Sequence, residues 1–278
     1  MIKRSGVEVM NARTKGVAIA KETIEICNNK QYASPNGFTI DISSSLDAAI
    51  NGTIYYPAET EFSAKSIYRF PTFEVTNETT AQAAVRLAAL DKEDIVALNF
   101  ASARNQGGGF LSGAMAQEED LCRCSGLYPC LKKKPLFYNA NIMCDDSLYT
   151  DGIIYSPKVP FIRNEHNILL EEPFELSIIS APAPNLNGAQ NIDHEVLVNT
   201  LLRRAQTILL VAQKHEHKNI ILGAWGCGAF GNDPFNVANI FMAALKSIPA
   251  FNHVCFAVYD RRPEQPVFET FKKVIFNE

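Results

Sequence analysis

The chain has 278 residues and a formal net charge of -4. It is long enough to bury a large core and too acidic for a general nucleic-acid binder, which shows a basic surface. No run of eighteen apolar residues occurs, so no membrane span is expected, and the seven scattered cysteines do not form a disulfide framework.

The charged opening MIKRSGVEVMNARTKG lacks the apolar stretch of a secretory leader. Together with the cysteine usage, this predicts a reducing, cytoplasmic setting. KGVAIAKETIEICNNK (15–30) has helical apolar spacing and stops at two asparagines. GFTIDIS (37–43) and TIYYP (53–57) read as short strands around a small helix, SSLDAAING (44–52), capped by serine and closed by glycine. RFPTFEVTN (69–77) reads as extended, and NETTAQAAVRLAAL (77–90) as a helix starting near Thr79 or Thr80. DIVALNFA (94–101) is an apolar run of buried-strand type that feeds the triplet Gly107-Gly108-Gly109.

AMAQEEDLCRCSGLY (114–128) is rich in helix formers, which puts Glu118 and Glu119 in a helix's first turns. DGIIYSP (151–157) and KVPFIRN (158–164) look like a hairpin pair separated by Ser-Pro. FELSIISAPAPN (174–185) is a strand entering a Pro-rich loop, and DHEVLVNTLLRRAQTILLVAQKH (193–215) is the longest amphipathic helix. KNIILGAWGCGAFGNDP (218–234) is a strand opening into a second glycine-rich loop, with Asp233 and Pro234 as cap and first residue of the next helix. HVCFAVYD (253–260) is a closing strand. Strands alternating with helices argue for an α/β sheet covered on both faces. With no linker-like stretch, residues 1–75 read as an extension packed on a core of 76–278.

In an open α/β sheet ligands sit beyond the carboxyl ends of the strands, and here two such ends carry glycine-rich loops. Glycine lets backbone N–H groups approach phosphate oxygens and accepts positive φ. Neither loop matches the P-loop or dinucleotide-binding spacing, and either one alone reads equally well as a packing turn. Two on one sheet point to an extended, diphosphate-bearing ligand. Adjacent helical residues project about 100° apart, so Glu118 and Glu119 cannot clamp a bond from opposite sides as a conventional glycosidase pair does. One is expected to transfer a proton while the other orients hydroxyls. Repulsion and burial would raise a carboxyl's pKa and the helix N-terminus would lower it, so sequence leaves the balance open. Without the glycines, a solvated acidic helix start would be the simpler reading.

The pattern Gly107-Gly108-Gly109, seven residues, then Gln117-Glu118-Glu119 resembles the signature of poly(ADP-ribose) glycohydrolases. VALNFASARNQGGG, DLCRCSGLY, GAWGCGAFGNDP and FAVYDR look like the compact bacterial-type members, and KETIEICNNKQY is similar to their leading extension. The likeness covers most of the chain. It implies a macrodomain-like mixed β-sheet sandwiched between helices, with ADP-ribose across its top. It also implies Glu119 as the catalytic acid/base, with Glu118 and Gln117 holding ribose hydroxyls and the catalytic helix. Asn99 and Asn105 match positions that hydrogen-bond the ribose near the scissile bond. Gly107, Gly108 and Gly109 would lie against that ribose and the phosphates. Gly226, Cys227, Gly228, Ala229, Phe230 and Gly231 would wrap the diphosphate, Phe230 packing on the ligand. Poly(ADP-ribose) or ADP-ribosylated proteins would be substrate and ADP-ribose the product ligand, with no cofactor or metal and no direct DNA or membrane binding.

Rival readings are a non-catalytic ADP-ribose-binding module, a hydrolase removing single ADP-ribose groups from protein, and a phosphatase. The tandem glutamates argue against the first, and the last would want a metal cluster or an activated cysteine. Cys122, Cys124 and Cys130 lack zinc-knuckle spacing and read as free thiols. Cys227 has no nearby histidine in sequence to make it a nucleophile. KHEHK (214–218) reads as a solvated basic helix end, CLKKKP (130–135) as an exposed turn, and Arg261 and Arg262 as surface ion-pair formers. Trp225 reads equally as loop lining or core anchor.

Overall fold

In the computed structural model, residues 11–65, 67–90, 94–144, 146–188 and 192–277 are described. The first ten residues, on which the leader reading rests, lie outside them. The elements in chain order begin with α1 (Ala12–Asn29), β1 (Gln31–Ala33), β2 (Thr39–Asp41), α2 (Ser43–Gly52), β3 (Ile54–Tyr56) and β4 (Thr72–Thr76). Then come α3 (Thr80–Ala89), β5 (Ile95–Phe100), α4 (Gln117–Cys124), α5 (Leu127–Lys132), α6 (Pro135–Met143) and β6 (Ile153–Arg163). The last are β7 (Leu169–Ala181), α7 (His194–Lys214), β8 (Asn219–Leu222), α8 (Pro234–Ser247), β9 (His253–Ala257) and α9 (Pro266–Phe276).

The main sheet has strand order β3-β6-β7-β5-β8-β9-β4. The run from β7 to β4 is parallel, while β6 lies antiparallel to both β7 and β3. β5 is central and buried on both faces. Leu98, Ile179 and Leu222 pack under α7, α8 and α9 through Leu201, Phe241 and Phe271. Ala97, Ile178 and Ile221 face the other way, onto Ala20, Leu87, Leu121, Leu127 and Phe137 of α1, α3, α4, α5 and α6. The expected mixed sheet between helix layers is therefore present. Both edge strands, β3 and β4, come almost wholly from before residue 76, so the expected extension supplies sheet as well as helix.

Local chemistry sets the boundaries. Asn11 caps α1 by accepting from Thr14 N, Thr79 and Gln82 form a reciprocal capping box on α3, and Asp233 caps α8 ahead of Pro234. Three readings are corrected. The serine expected to cap α2 lies inside that helix; Ile42 holds the cap position, and Asp41 Oδ1 accepts from Ser43 N instead. The expected 151–164 hairpin is a single strand, β6, whose register shifts between Ser156 and Val159. Pro157 sits in that irregularity, where a missing N–H removes no ladder bond. KHEHK is not a solvated helix end: His217 is buried against Tyr155, and the His215 ring stacks on Tyr155 at 3.6 Å while bonding Tyr56.

Candidate active site

Because β7, β5, β8, β9 and β4 run parallel, their carboxyl ends share one edge of the sheet. The loops leaving them wall a cleft of about 900 Å³. Ala183 follows β7, Ser102 follows β5, Ala224–Phe230 follow β8, Tyr259–Arg262 follow β9, and Glu78 and Thr79 follow β4. Five strands at the usual spacing give a cleft on the order of 20 Å long. The paired glutamates stand at its β5 end.

α4 carries them, and Gln117 fixes where that helix starts. Its Oε1 accepts from Phe100 N at 2.8 Å, and its Nε2 donates to Leu98 O at 2.7 Å and Thr80 Oγ1 at 3.0 Å. Gln117 therefore ties the first turn of α4 to the end of β5. Glu118 is buried. Its Oε1 accepts from Asn99 Nδ2 at 3.2 Å and its Oε2 from Ser102 N at 2.8 Å. Burial pushes this carboxyl up to about 8, with the neighbouring Glu119 adding to the shift and the two donors opposing it. Glu118 is thus mostly protonated at neutral pH. For this residue burial outweighs the two hydrogen-bond donors.

Glu119 differs in its hydrogen bonding. Its Oε1 accepts from Gly109 N at 2.7 Å, while its buried Oε2 has no hydrogen-bond partner among the described residues. Both carboxylates converge on Gly108. A Cβ on that residue would strike Glu119 Oε1 and lie 2.9 Å from Glu118 Oε2. Gly108 also has φ +58, a left-handed conformation that glycine adopts without strain. The triplet thus first makes room for the acids and supplies one with an N–H. The pair shares one glycine, in keeping with the expectation that it cannot flank a sugar from two sides.

The other expected residues divide by place. Asn99 is fully buried, its Nδ2 donating to Glu118 Oε1 and Ser180 Oγ while its Oδ1 has no partner among the described residues, and it borders the acid from beneath. Asn105 is exposed on the turn leading to the triplet, where its N–H donates to Ser102 Oγ. In the second loop, Gly226 has φ +74 and abuts Ala183 and the Asn232 amide, which bonds Pro184 O. The N–H groups of Gly228 and Ala229 have no acceptor among the described residues, and a Cβ on Gly228 would meet nothing within 4 Å. The loop therefore presents free donors and open space to an anion. Gly231 closes it beside Asn187, and Phe230 lines the cleft with its ring against Tyr149. Burial pushes the Cys227 thiol up to about 12, the opposite of an activated nucleophile. Trp225 anchors the loop, being fully buried with Nε1 donating to Ala181 O at 3.0 Å.

The far end was not legible from sequence. Glu78, Thr79, Tyr259 and Asp260 line it, and Arg262 grips the buried Asp260 carboxylate there, holding it well below the usual range. The expected Arg262 ion pair exists, but on the rim of the cleft. TNETT announced only a helix cap, and nothing in its composition distinguishes a cap loop from a ligand loop. Cys122, Cys124 and Cys130 are buried free thiols.

A family model described as microbial-type PARG, catalytic domain, matches residues 20–164. The crystal structure of poly(ADP-ribose) glycohydrolase from Thermomonospora curvata is 40% identical, with a TM-score of 0.87 over 94% of this chain and 100% of that one. The same enzyme bound to the inhibitor ADP-HPD gives 39% and 0.86, covering 94% of this chain and 99% of that chain. Poly(ADP-ribose) glycohydrolase from Deinococcus radiodurans in complex with ADP-ribose gives 42% and 0.75, covering 84% and 97%. No curated protein sequence matches the chain.

Proposed function

The chain belongs to the microbial-type poly(ADP-ribose) glycohydrolase family, and from that premise we propose that Glu119 is the residue that moves the proton. The enzyme hydrolyses the ribose–ribose bonds of poly(ADP-ribose) and releases ADP-ribose. What supports Glu119 is the difference in hydrogen bonding: one of its oxygens is free, whereas both oxygens of Glu118 are tied to Asn99 and Ser102. The ligand reading follows the order of the strands. The scissile ribose sits at the β5 end beside the acids, the diphosphate over the free N–H groups after β8, and the adenosine toward Tyr259 and Glu78.

Protonated Glu119 donates to the departing ribose oxygen as the bond to the anomeric carbon breaks. The oxocarbenium-like centre is stabilised by the nearby carboxyl oxygens and by the substrate's own diphosphate. Glu119, now ionised, takes a proton from water, which adds to that centre. Glu118 and Gln117 act mainly by fixing α4, and exposed Asn105 is free to reach a ribose hydroxyl. Gly109 N–H keeps Glu119 aimed through both steps. The seven cysteines are free thiols and no described helix is long and apolar enough to cross a membrane; the former supports a reducing, cytoplasmic location.

The specificity test is incubation with poly(ADP-ribose) and, separately, with mono-ADP-ribosylated protein. Free ADP-ribose is expected from the polymer alone. Equal release from both would replace the polymer reading with the side-chain hydrolase.

A further inference from the structure

The cleft does not end at Glu119. Beyond β5 and β7 in the sheet order lies β6, which is antiparallel, so its first residues return to the same edge as the cleft. The segment 146–151 therefore stands on the side of the glutamates opposite to the adenosine end. Tyr149 in that segment has φ +61, an uncommon conformation for a bulky residue. It is held there from below by Arg204, whose fully buried guanidinium donates to Leu148 O, Tyr149 O and Pro182 O and pairs with Asp151. Asn185 Nδ2 reaches the Tyr149 hydroxyl at 3.4 Å.

Arg104 meets that ring from the other wall. Its guanidinium carbon lies 5.7 Å from the Tyr149 centroid, within cation–π range, and its side chain is exposed. It is tied to the catalytic turn, because Arg104 N donates to Ser102 Oγ at 3.4 Å while Ser102 N holds Glu118. Phe230 of the phosphate loop touches the same tyrosine at 6.2 Å. An aromatic face and a guanidinium thus stand together at the exit from the acids, outside the cleft that takes the released ADP-ribose.

We propose that Arg104 and Tyr149 form a subsite for the leaving side of the polymer. The inference rests on Glu119 marking the scissile bond. The chemistry there is specific: the departing oxygen is a hydroxyl of an adenosine ribose, so an adenine and a 5′-diphosphate lie on either side of it. The ring takes the base by stacking, and the guanidinium takes the diphosphate. Asp146, whose Oδ1 accepts from Leu148 N, closes the turn on its outer side. The subsite favours a nucleotide leaving group over a small one.

The test compares poly(ADP-ribose) with ADP-ribose carrying a methoxy group at the anomeric carbon of its terminal ribose, a small leaving group that still needs a proton and places neither base nor phosphate in the subsite. In Arg104→Ala the ratio of kcat/KM on polymer to that on the conjugate is expected to fall about tenfold. Tyr149→Leu, which keeps an apolar side chain of useful bulk, should shift the ratio the same way. Arg104→Lys should recover part of the loss. A ratio unchanged from wild type in both Arg104→Ala and Tyr149→Leu overturns the subsite and leaves Glu119 untouched. The underlying reading fails separately: if Glu119→Gln still cleaves the conjugate at near-normal rate, the scissile end is misplaced and the subsite falls with it.

Discussion

At the scale of single residues, the site depends on what two carboxyl groups with one shared neighbour are allowed to do. Gly108 is the point of convergence, and any side chain there must displace Glu119. Gly108→Ala is expected to lower kcat by about a hundredfold, since misplacing a catalytic group by an ångström has that effect. Steady-state kinetics on a variant whose melting transition remains cooperative would show it; near-normal kcat would mean the carboxyl is not positioned by this glycine. Glu118 carries a second consequence. Its carboxyl is raised by burial to about 8, so the folded protein holds a proton that the unfolded chain loses near 4.5. The sign is therefore destabilising as pH rises: the cost is absent below about 4.5 and complete above about 8. Glu118→Gln cannot ionise, so the stability difference between variant and wild type should move in the variant's favour from pH 5 to pH 8. Denaturant melts across that range measure it, and a constant difference would contradict a protonated Glu118.

Among elements, α4 is the one whose placement matters most, and Gln117 is its anchor. Gln117→Leu strips partners from Phe100 N and Leu98 O. It should destabilise by about 2–4 kcal/mol, the range for leaving buried backbone groups unpaired. A loss under 0.5 kcal/mol would show that α4 is held elsewhere. The same element explains how much sequence could say. A glycine triplet and tandem acids at fixed spacing are legible because no other residue types perform those tasks. Helices α5 and α6 escape the reading of 130–135 as an exposed turn: Cys130 and Leu131 are buried in α5, and Pro129 and Pro135 fall in first turns, where proline is tolerated. β6 read as two strands because Ser156-Pro157 looks like a break, and only the register against β7 reveals a bulge. The far wall of the cleft stayed hidden for a related reason. Its residues come from loops after β4 and β9, strands that are adjacent in the sheet and distant in the chain.

The whole molecule adds a layer on the side of the sheet away from the cleft. His215 and His217 turn inward because Tyr56 and Tyr155, remote in sequence, offer their hydroxyls. Burial pulls His215 down to about 4, with His217 and Lys214 adding like-charge repulsion. Its neutral form is thus favoured in the fold. That contribution is complete above the ordinary histidine value of about 6.5 and is lost as pH falls toward 4. The stability advantage of wild type over His215→Gln should shrink between pH 7 and pH 5, as followed by denaturant melts. An advantage that grows on acidification would mean the ring is paired as a cation instead. Catalysis and acid stability thus reside at opposite ends of the strands, and mutations at one end should leave the other's pH behaviour in place.

The most direct measurement is the Glu119→Gln variant assayed twice, for release of ADP-ribose from poly(ADP-ribose) and for binding of free ADP-ribose by calorimetry. The glutamine keeps the side chain's shape and its hydrogen bond from Gly109 N, and removes only the transferable proton. Hydrolysis should fall by a factor of about 1,000 or more, with ADP-ribose affinity within a few-fold of wild type. Turnover near that of wild type would contradict the assignment of Glu119 as the acid.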